Sequence, residues 1–302
     1  MKHFLDVLDW STPELWDILE LAVHLKREWR SGGNKPIMQG KVLGMVFQKP
    51  SLRTRVSFEM AAIHLGGSAI MLGPQEIGLG KRESIPDVSR VLSSYVQMIM
   101  ARVFDHNHVL QLAEHSRVPV INGLSDEQHP CQAMADVLTM YEHFGSLKGL
   151  KLAYIGDGNN VAISLVHVAM RYGFDISIAS PEGYELDPAF LDRARQAGIT
   201  VEGHTEPELA MANADVIYTD TWVSMGQEQE VAEREATFSK YQVNTNLLSH
   251  ANAHAMVLHC LPAHRGQEIT DEVADGKQSL IFQQAENRLH AQKAIMVKLL
   301  SD

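Results

Sequence analysis

The stretch VLGMVFQKPSLRTR, residues 42–55, passes from an apolar run through a polar turn into a helical pattern. The run Val42–Phe47 has the length and composition of a buried strand. The helical pattern covers about Thr54–Leu65 and ends at two glycines, which favour a helix C-terminus. A strand that leads directly into a helix is the repeating unit of an α/β fold.

The same alternation continues on both sides of this stretch. Further apolar runs predict the strands Met98–Val103, Val118–Ile121, Leu152–Ile155, Ile176–Ala179, Val216–Tyr218 and Met256–Leu258. Amphipathic segments predict the helices Val109–His115, Ala133–Phe144, Val161–Arg171 and Gln284–Leu300, and Ser11–Glu14 has the features of a helix start. Repeated alternation of this kind predicts parallel sheets that are flanked by helices.

The alternation pauses at Gly145–Gly149, and we interpret the pause as a boundary between two domains. The first predicted domain covers residues 1–146, and the second covers residues 147–283. A chain of 302 residues is long enough for each domain to bury its own core. The sequence therefore predicts two similar α/β domains, each built on a parallel sheet.

The composition excludes several classes of partner. The chain has a formal net charge of -11 and a sequence pI near 5.7, so its surface repels nucleic acid and anionic lipid on average. No run approaches the ~20 apolar residues that span a bilayer, and the N-terminus lacks a secretory pattern. Cys131 and Cys260 are expected to be reduced thiols. We therefore expect a cytoplasmic protein with no nucleic-acid or membrane partner.

The turn Ser51–Arg55 is the sharpest candidate for binding an anion. It lies where a strand leads into a helix, and the backbone N–H groups of a helix N-terminus favour negative charge. Ser51 and Thr54 add hydroxyl donors. Arg53 and Arg55 add guanidinium groups that match phosphate oxygens. A capped surface helix with two solvated arginines explains the pattern about equally well, and the glycine pattern of a Walker loop is absent.

Further basic and polar residues are candidates for the same site. Arg102 lies at the end of the strand Met98–Val103, and ligands of open α/β sheets bind beyond the carboxyl ends of strands. The segment His129–Gln132 follows the next predicted strand and opens a helix. His129 and Gln132 can therefore donate hydrogen bonds to a carbonyl oxygen or an amide. An arginine in water and a histidine that only caps its helix are the alternatives.

A second group of candidates follows later strands. Asp220 comes just after the strand Val216–Tyr218, and its carboxylate can hold an ammonium group unless the segment is an ordinary polar loop. Cys260 lies between His259 and His264, which raises a zinc site or a nucleophilic cysteine as alternatives. Structural zinc sites usually pair their cysteines, so we expect no metal. Neighbouring residues of one strand face opposite ways, which argues against a dyad of His259 and Cys260.

The turn Gly156–Asn160 has the opening glycines of a dinucleotide-binding fingerprint, but Val161 stands where a third small residue is needed. A plain strand–turn–helix connection is therefore preferred, and Asn160 is left to bind another ligand. Near the end of the chain, Arg288 lies at the predicted start of the last helix, where an exposed arginine is the ordinary explanation.

Taken together, these segments resemble the aspartate/ornithine carbamoyltransferase family, on its ornithine branch, over essentially the whole chain. Ser51–Arg55 is similar to the family's carbamoyl-phosphate motif, and His129–Gln132 is similar to its His-Pro-x-Gln motif. Asp220 with Ser224–Gly226 is similar to the ornithine-binding loop. His259–Pro262 is similar to the segment that closes over the side-chain amine. Four motifs in the same order are much more specific than any one of them.

The resemblance implies a division of the site between the domains. Residues 1–146, with the final helix 284–302 returning to them, would bind carbamoyl phosphate, and residues 147–283 would bind ornithine. The implied carbamoyl-phosphate ligands are Ser51, Leu52, Arg53, Thr54, Arg102, His129, Pro130, Cys131, Gln132, Cys260, Leu261 and Arg288. The implied ornithine ligands are Asn160, Asp220, Ser224 and Met225. The implied catalytic residues are Arg102, His129, Asp220 and Cys260.

The implied reaction transfers the carbamoyl group of carbamoyl phosphate to the side-chain amine of L-ornithine and gives L-citrulline and phosphate. An alkyl ammonium with a pKa near ~10.4 must lose a proton before it attacks, and Asp220 and Cys260 are expected to promote that loss. Arg102, His129 and Thr54 would stabilise charge on the carbonyl oxygen, by roughly 3 kcal/mol for each donor. No cofactor is needed. The resemblance also implies a homotrimer with shared sites and a cis Leu261–Pro262 bond.

The sequence departs from the family pattern at three positions. Leu52 and Cys131 each replace a common threonine, which is tolerable at Leu52 if that position supplies only its backbone N–H. Gly78 falls where many members carry a glutamine that reaches carbamoyl phosphate from a neighbouring subunit. Lys81 and Arg82 are the candidates to replace that glutamine.

Several alternatives stay open at the level of sequence. The acceptor amine can be putrescine or an N-acylated ornithine, although the Ser224–Gly226 loop favours free ornithine. A nicotinamide-dependent oxidoreductase built on Gly156–Asn160 and an inactive scaffold that keeps the fold are alternatives from other classes. Arginine synthesis and arginine breakdown both use such a site. We expect Arg53→Ala to weaken carbamoyl-phosphate binding and Asp220→Ala to damage chiefly the use of ornithine.

Overall fold

The computed structural model of the protein describes residues 1–223 and 228–301. The chain forms two compact units. Unit 1 contains Met1–Leu138 and Glu286–Asp302, and unit 2 contains Thr139–Ala285. The domain boundary near residue 146, together with the ligand assigned to each domain, stays a prediction.

Two parallel sheets organise the part of the chain that the structure describes. The strands are β1 (Val42–Phe47), β2 (Ser68–Leu72), β3 (Met98–Arg102), β4 (Val120–Leu124), β5 (Lys151–Ile155), β6 (Asp175–Ala179), β7 (Val201–His204), β8 (Val216–Thr219) and β9 (Met256–His259). The helices are α1 (Thr12–Arg30), α2 (Leu52–His64), α3 (Pro74–Ile77), α4 (Ile85–Tyr95), α5 (His106–His115), α6 (Pro130–Phe144), α7 (Asn160–Tyr172), α8 (Pro188–Gln196), α9 (Pro207–Met211), α10 (Val231–Phe238), α11 (Thr245–Leu248), α12 (Asp271–Ala274) and α13 (Ile281–Ser301).

The sheet of unit 1 has the strand order β2-β1-β3-β4. Its central strands β1 and β3 are apolar and almost wholly buried, as expected of parallel strands that helices cover on both faces. Phe47 pairs with Arg102, so the carboxyl ends of β1 and β3 lie side by side. This register brings the turn after β1 and the arginine that ends β3 to the same edge of the sheet.

The last helix, α13, contributes buried contacts to unit 1. Lys26 of α1 donates from Nζ to Oδ1 of Asn287 over 2.6 Å, and both side chains are buried. Lys293, which is also buried, donates in the same way to Asn34 over 2.6 Å. The return of the C-terminal helix to the N-terminal part of the chain is therefore confirmed.

The sheet of unit 2 has the strand order β7-β6-β5-β8-β9. Strands are added on one side of β5 and then on the other, so β5 and β8 flank the point where the direction of addition reverses. Ile155 pairs with Thr219 at the carboxyl ends of these strands. Because ligands of open α/β sheets bind at such a point, the loops after β5 and β8 are the place to expect a site.

The predicted fold class is confirmed, and its errors are local. The edge strands β2 and β7 were missed, and Glu202 and Gly203 interrupt the apolar character of β7. The strand predicted at Val118–Ile121 begins at Val120 instead. The last helix begins at Ile281, so Arg288 lies inside it and not at its start. None of the described helices has the length and apolar character that a bilayer crossing requires.

Candidate active site

The turn after β1 forms the N-terminus of α2. Ser51 is the N-cap residue, and its Oγ accepts a hydrogen bond from the backbone N–H of Thr54 at 3.3 Å. The first turn of any α-helix leaves backbone N–H groups without acceptors inside the helix. Those groups and the helix dipole make this turn suited to an anion, as the sequence predicted.

Thr54 lies between two buried arginines. Arg102 donates from Nη1 to Thr54 Oγ1 at 3.3 Å, and Arg288 donates from Nη2 to the same oxygen at 2.7 Å. Thr54 is fully buried, and Arg102 and Arg288 are only 8% and 3% exposed. Two buried guanidinium groups that share one neutral hydroxyl concentrate positive charge at the start of α2, which favours an anionic ligand there.

His129 precedes α6 and is buried in the same unit. Burial lowers the pKa of its imidazole well below the usual value, and the charges of Arg288 and Arg102 lower it further. The ring is therefore neutral at pH 7 and offers a single N–H donor. Such a donor can polarise a carbonyl oxygen without transferring a proton to it.

Gln132 offers an acceptor beside this donor. Its Nε2 donates to Asp136 Oδ1 at 2.8 Å, which fixes the orientation of the amide. Its Oε1 is buried and has no hydrogen-bond partner among the residues that the structure describes. Because buried acceptors are usually satisfied, the NH2 group of a small ligand is a suitable partner for this oxygen.

Lys49 is a basic residue of unit 1 that the sequence analysis missed. Its Nζ lies 4.9 Å from the centroid of the Phe104 ring. Burial lowers the pKa of its amine to about 8, and the charge of Arg102 acts in the same direction, whereas Asp126 opposes it. The charge of Lys49 also helps to lower the pKa of His129. Its position two residues before Ser51 was the signal that could have identified it.

The two arginines of the predicted turn differ in their surroundings. Arg53 is half-buried, and its charge contributes to the lowered pKa of His129. Arg55 is exposed and lies 3.7 Å from Glu59 on the next turn of α2. The alternative of a solvated surface arginine therefore holds for Arg55, whereas half-buried Arg53 is close enough to His129 for its charge to act on the imidazole.

The positions that depart from the family pattern have local explanations. Leu52 is the first residue of α2 and its side chain is 73% exposed, so its backbone N–H is the group that it can offer to an anion. Pro130 is the first residue of α6. Cys131 donates from Sγ to the backbone oxygen of Asn122 at 3.4 Å, and burial raises its pKa to about 12. The thiol of Cys131 therefore stays protonated and packs against β4.

Gly78 ends the short helix α3 in the left-handed conformation, with φ 58°. A Cβ atom at this position would approach Cβ of Arg82 to 2.7 Å. The helix end therefore requires glycine, for steric reasons as well as for its dihedral angle. Lys81 and Arg82 are both exposed, and their predicted substitution for a glutamine stays a prediction.

In unit 2, Asp220 follows β8 and is the centre of a buried hydrogen-bond network. Its Oδ1 accepts from Sγ of Cys260 at 2.8 Å and from the backbone N–H of Thr221 at 2.7 Å. Its Oδ2 accepts from Nδ2 of Asn159 at 3.0 Å. Asp220 is 7% exposed. The carboxylate is therefore held in one orientation by groups from three separate loops.

Asn159 was missed in favour of its neighbour. Its Oδ1 caps α7 by accepting from the N–H groups of Val161 and Ala162 at 2.9 and 3.2 Å, which directs Nδ2 toward Asp220. Asn160 is the first residue of α7 and is half-buried, next to this network in the chain. An asparagine immediately before an apolar helical segment is a typical N-cap, so the sequence contained the signal.

The segment after β9 is held by a buried pair, His259 and Glu268. Nε2 of His259 lies 3.0 Å from Glu268 Oε1, and Nδ1 accepts from the backbone N–H of Leu261 at 2.9 Å. The second bond requires an unprotonated Nδ1, so Nε2 carries the proton and donates to Glu268. Leu261 has a positive φ of 59°, and its bond to Pro262 is cis, as predicted.

The sequence analysis argued against a dyad of His259 and Cys260 on the assumption that both residues lie on one strand, and this assumption was wrong. The strand β9 ends at His259, so strand geometry does not apply to Cys260. Ligand-type atoms of Asp220, His259 and Cys260 lie within 4.8 Å of one another. Both ring nitrogens of His259 are nevertheless engaged, with Glu268 and with a backbone N–H. This geometry favours hydrogen bonding over metal ligation at His259.

The dinucleotide alternative is disfavoured by packing. A Cβ atom at Gly158 would approach backbone atoms of Tyr184, Glu185 and Leu186 to 2.7–2.8 Å. The turn after β5 is therefore packed against its own unit, where a dinucleotide-binding turn needs room for a pyrophosphate.

The structure groups most of the predicted site residues within each unit. Ser51, Thr54, Arg102 and Arg288 are linked in unit 1. Asp220 and Cys260 are linked in unit 2. Ser224 and Met225 lie outside the described residues.

Comparisons with known proteins match both parts of the chain to one family. A family model described as the carbamoyl-P binding domain of aspartate/ornithine carbamoyltransferase matches residues 2–142. A second model, described as the Asp/Orn binding domain of the same family, matches residues 148–299. The two matches together cover most of the chain.

Individual relatives match over nearly their whole length. An ornithine carbamoyltransferase from Anoxybacillus flavithermus is 51% identical, with 99% of this chain and 96% of that protein covered. The solved structure of ornithine carbamoyltransferase from Pyrococcus furiosus gives a TM-score of 0.94 at 50% identity, covering 98% and 96%. The anabolic enzyme from Campylobacter jejuni gives a TM-score of 0.93 at 36% identity, covering 100% and 99%.

Proposed function

The chain belongs to the aspartate/ornithine carbamoyltransferase family, and from that premise we propose how its residues transfer a carbamoyl group from carbamoyl phosphate to L-ornithine. The enzyme is an ornithine carbamoyltransferase, and its products are L-citrulline and phosphate. The assignment of individual residues to this reaction rests on the contacts within each unit.

Carbamoyl phosphate binds to unit 1 at the start of α2. Its phosphate accepts hydrogen bonds from the first-turn N–H groups, from Ser51 and from Arg53. The positive charge of Arg288 offsets part of the negative charge of the phosphate. The observation that carries this assignment is the pair of arginines, Arg102 and Arg288, on the single hydroxyl of Thr54. Buried cations at a helix N-terminus are arranged for a dianion and poorly arranged for a neutral ligand.

The carbamoyl group has two ends, and unit 1 offers a partner of the right polarity for each. The carbonyl oxygen accepts from Arg102, Thr54 and the neutral ring of His129. The NH2 group donates to the buried Oε1 of Gln132. Donors placed where negative charge develops during attack are each worth roughly 3 kcal/mol in transition-state stabilisation.

Ornithine binds to unit 2, with its side-chain amine at Asp220. The carboxylate first pairs with the ammonium and then accepts one proton from it, so that the neutral nitrogen can attack the carbonyl carbon. The C–N bond forms, the C–O bond to phosphate breaks, and the leaving phosphate takes the second proton of the nitrogen. Cys260 holds Asp220 in position through its thiol. Asn160, Ser224 and Met225 are assigned to the α-amino and α-carboxylate ends.

We also infer that the chain assembles as a homotrimer. Leu52, Val56 and Ile63 of α2 are 73%, 46% and 48% exposed, and their spacing places them along one face of the helix. Ile70 on the neighbouring edge strand β2 is 47% exposed. Exposed apolar side chains that share one helix face are typical of a surface that another subunit covers.

A cytoplasmic location is part of the same proposal. Cys131 and Cys260 are both free thiols and both buried. Buried reduced cysteines are typical of a compartment in which disulfides do not form. The reaction suits arginine synthesis and arginine breakdown alike, because both directions use one site.

A colorimetric citrulline assay with a panel of amines tests the function. L-ornithine is expected to give product in the presence of carbamoyl phosphate, while putrescine and N-acetylornithine give little. Each alternative acceptor lacks or blocks an α-group that the ornithine site is expected to hold. A chain that carbamoylates putrescine as fast as ornithine would contradict the assignment, and so would one that makes no citrulline.

A further inference from the structure

Two loops of unit 2 carry the groups that surround Asp220. One loop follows β5 and contains Asp157 and Asn159, and the other follows β8 and contains Asp220 and Trp222. The two loops are joined directly by Asn159 Nδ2, which donates to Asp220 Oδ2 at 3.0 Å. The position of the Asp220 carboxylate thus depends on the relative placement of two separate segments of chain.

Arg234, on α10, makes a second junction between the same two loops. Its Nη1 donates to Asp157 Oδ2 at 2.8 Å and also to the backbone oxygen of Trp222 at 2.9 Å. Asp157 lies two residues before Asn159, and Trp222 lies two residues after Asp220. One nitrogen atom therefore joins the same two loops at a second pair of positions.

The guanidinium of Arg234 is itself held firmly. Its Nε donates to Glu230 Oε2 at 2.8 Å, and its Cζ lies 4.9 Å from the ring centroid of Tyr184. The residue is 5% exposed. The turn that contains Asp157 is fixed to the same place, because the N–H of Gly158 donates to the backbone oxygen of Tyr184 at 2.8 Å.

We propose that Arg234 is a positioning residue for ornithine: it fixes the loop after β5 against the loop after β8 and so sets where the Asp220 carboxylate meets the substrate amine. The inference rests on the proposed function. Arg234 acts through Asp157 and the Trp222 carbonyl and does not itself touch the substrate.

The geometry requires the planar fork of arginine. A lysine at position 234 keeps the positive charge, but its single nitrogen cannot serve Glu230, Asp157 and the Trp222 carbonyl in the same directions. If the loop after β5 shifts relative to the loop after β8, Asp220 moves with them. Misplacement of a substrate-binding group by about 1 Å can cost up to ~100-fold in rate. The binding of carbamoyl phosphate, which is assigned to unit 1, does not depend on the relative position of these two loops.

The test compares Arg234→Lys and Arg234→Met with the wild-type enzyme in steady-state kinetics, each substrate being varied in turn. We expect KM for ornithine to rise about 10-fold in Arg234→Lys and about 100-fold in Arg234→Met. We expect KM for carbamoyl phosphate to stay within about 3-fold of wild type. Equal rises in both KM values, or an unchanged KM for ornithine in Arg234→Lys, would overturn the proposal.

Arg195 supplies a matched control in the same unit. It donates to the backbone oxygen of Val201 at 2.9 Å and to Asp192 at 2.6 Å, the same kinds of contact made away from Asp220. Arg195→Lys is expected to leave both KM values unchanged. If wild type and Arg195→Lys make no citrulline, the proposed function fails. If both make it and Arg234→Lys behaves like them, only the positioning role fails.

A double variant separates position from charge. Arg234→Met leaves the partly buried carboxylate of Asp157 without its cation, and Asp157→Asn removes that charge. If Arg234 acts by position, adding Asp157→Asn does not restore the KM for ornithine. Restoration to near the wild-type value would show that only an unbalanced charge was at fault and would overturn the proposal. If Arg234→Met does not fold, as judged by circular dichroism, Arg234→Lys decides the question.

Discussion

Arg288 donates from Nη2 to Thr54 Oγ1 at 2.7 Å, although 234 positions separate the two residues in the chain. The contact brings the last helix, α13, to the start of α2, where the anion is expected. Both side chains are buried, so the contact lies inside unit 1 and not on its surface. The C-terminal helix therefore adds a buried cation to the start of α2.

Replacement of Arg288 is expected to weaken carbamoyl-phosphate binding. Arg288→Met removes a charged donor worth about 1.5–3 kcal/mol, so we expect KM for carbamoyl phosphate to rise about 10- to 100-fold. KM for ornithine should change much less. Arg30→Met is the control, because exposed Arg30 of α1 pairs at 3.0 Å with Glu286, which lies on α13 as Arg288 does. A similar effect in both variants would mean that helix docking, and not the guanidinium, is responsible.

Asp220 is expected to serve the amine alone. Asp220→Asn keeps the shape of the side chain but removes its charge and its basicity. We expect kcat/KM for ornithine to fall by about 100- to 1,000-fold, as for other preorganised polar groups of an active site. Carbamoyl-phosphate affinity, measured by isothermal titration calorimetry, should be unchanged. Asp192→Asn on the surface of the same unit is the control, and a loss of carbamoyl-phosphate affinity in Asp220→Asn would contradict the division of roles.

Glu268 is expected to act through the histidine that it holds. It accepts from His259 Nε2 at 3.0 Å and from the backbone N–H of His264 at 2.5 Å, so it fixes both sides of the segment that contains Cys260. Glu268→Gln replaces a hydrogen bond to a charged group, worth about 1.5–3 kcal/mol, with a neutral one worth about 0.5–1.5 kcal/mol. We expect kcat to fall about 10-fold. Circular dichroism should show that the variant is folded, and an unchanged kcat would show that the pair has no part in catalysis.

The charge of Lys49 predicts a pH dependence of carbamoyl-phosphate binding. Burial lowers the pKa of Lys49 to about 8, so its amine is protonated below pH 8 and becomes neutral above it. Loss of a cation near a dianion weakens binding, so KM for carbamoyl phosphate should rise as the pH passes from about 7 to about 9. Lys49→Arg keeps its charge over this range and should flatten the profile. Identical profiles for wild type and Lys49→Arg would refute the assignment.

The exposed face of α2 gives a prediction about assembly. Val56 is 46% exposed between Leu52 and Ile63 on the same face. Val56→Glu places a charge in the expected interface, and burying an unpaired charge is costly, so we expect trimers to dissociate. Sedimentation velocity with Val56→Ala as the control measures the effect. A Val56→Glu protein that sediments as the wild type does would show that this face is not the interface.

Local signals were enough for the fold and for the chemistry of several loops. The apolar run Val42–Phe47 and the capped turn at Ser51 depend on a few neighbouring residues, so their structure follows from short-range physics. Arg102 and Asp220 were found because each lies at or just past a strand's carboxyl end. Lys49 and Asn159 were missed although their local context pointed to them.

The sequence by itself determined two α/β domains, an anion-binding helix start and a carboxylate suited to an amine. Helix periodicity, strand length and capping are local properties, which explains that success. Only the tertiary structure decided which distant groups meet: Arg288 with Thr54, Glu268 with His259, and Arg234 with Trp222. These pairs depend on strand order, side-chain direction and burial, which arise only when the sheets and helices pack together.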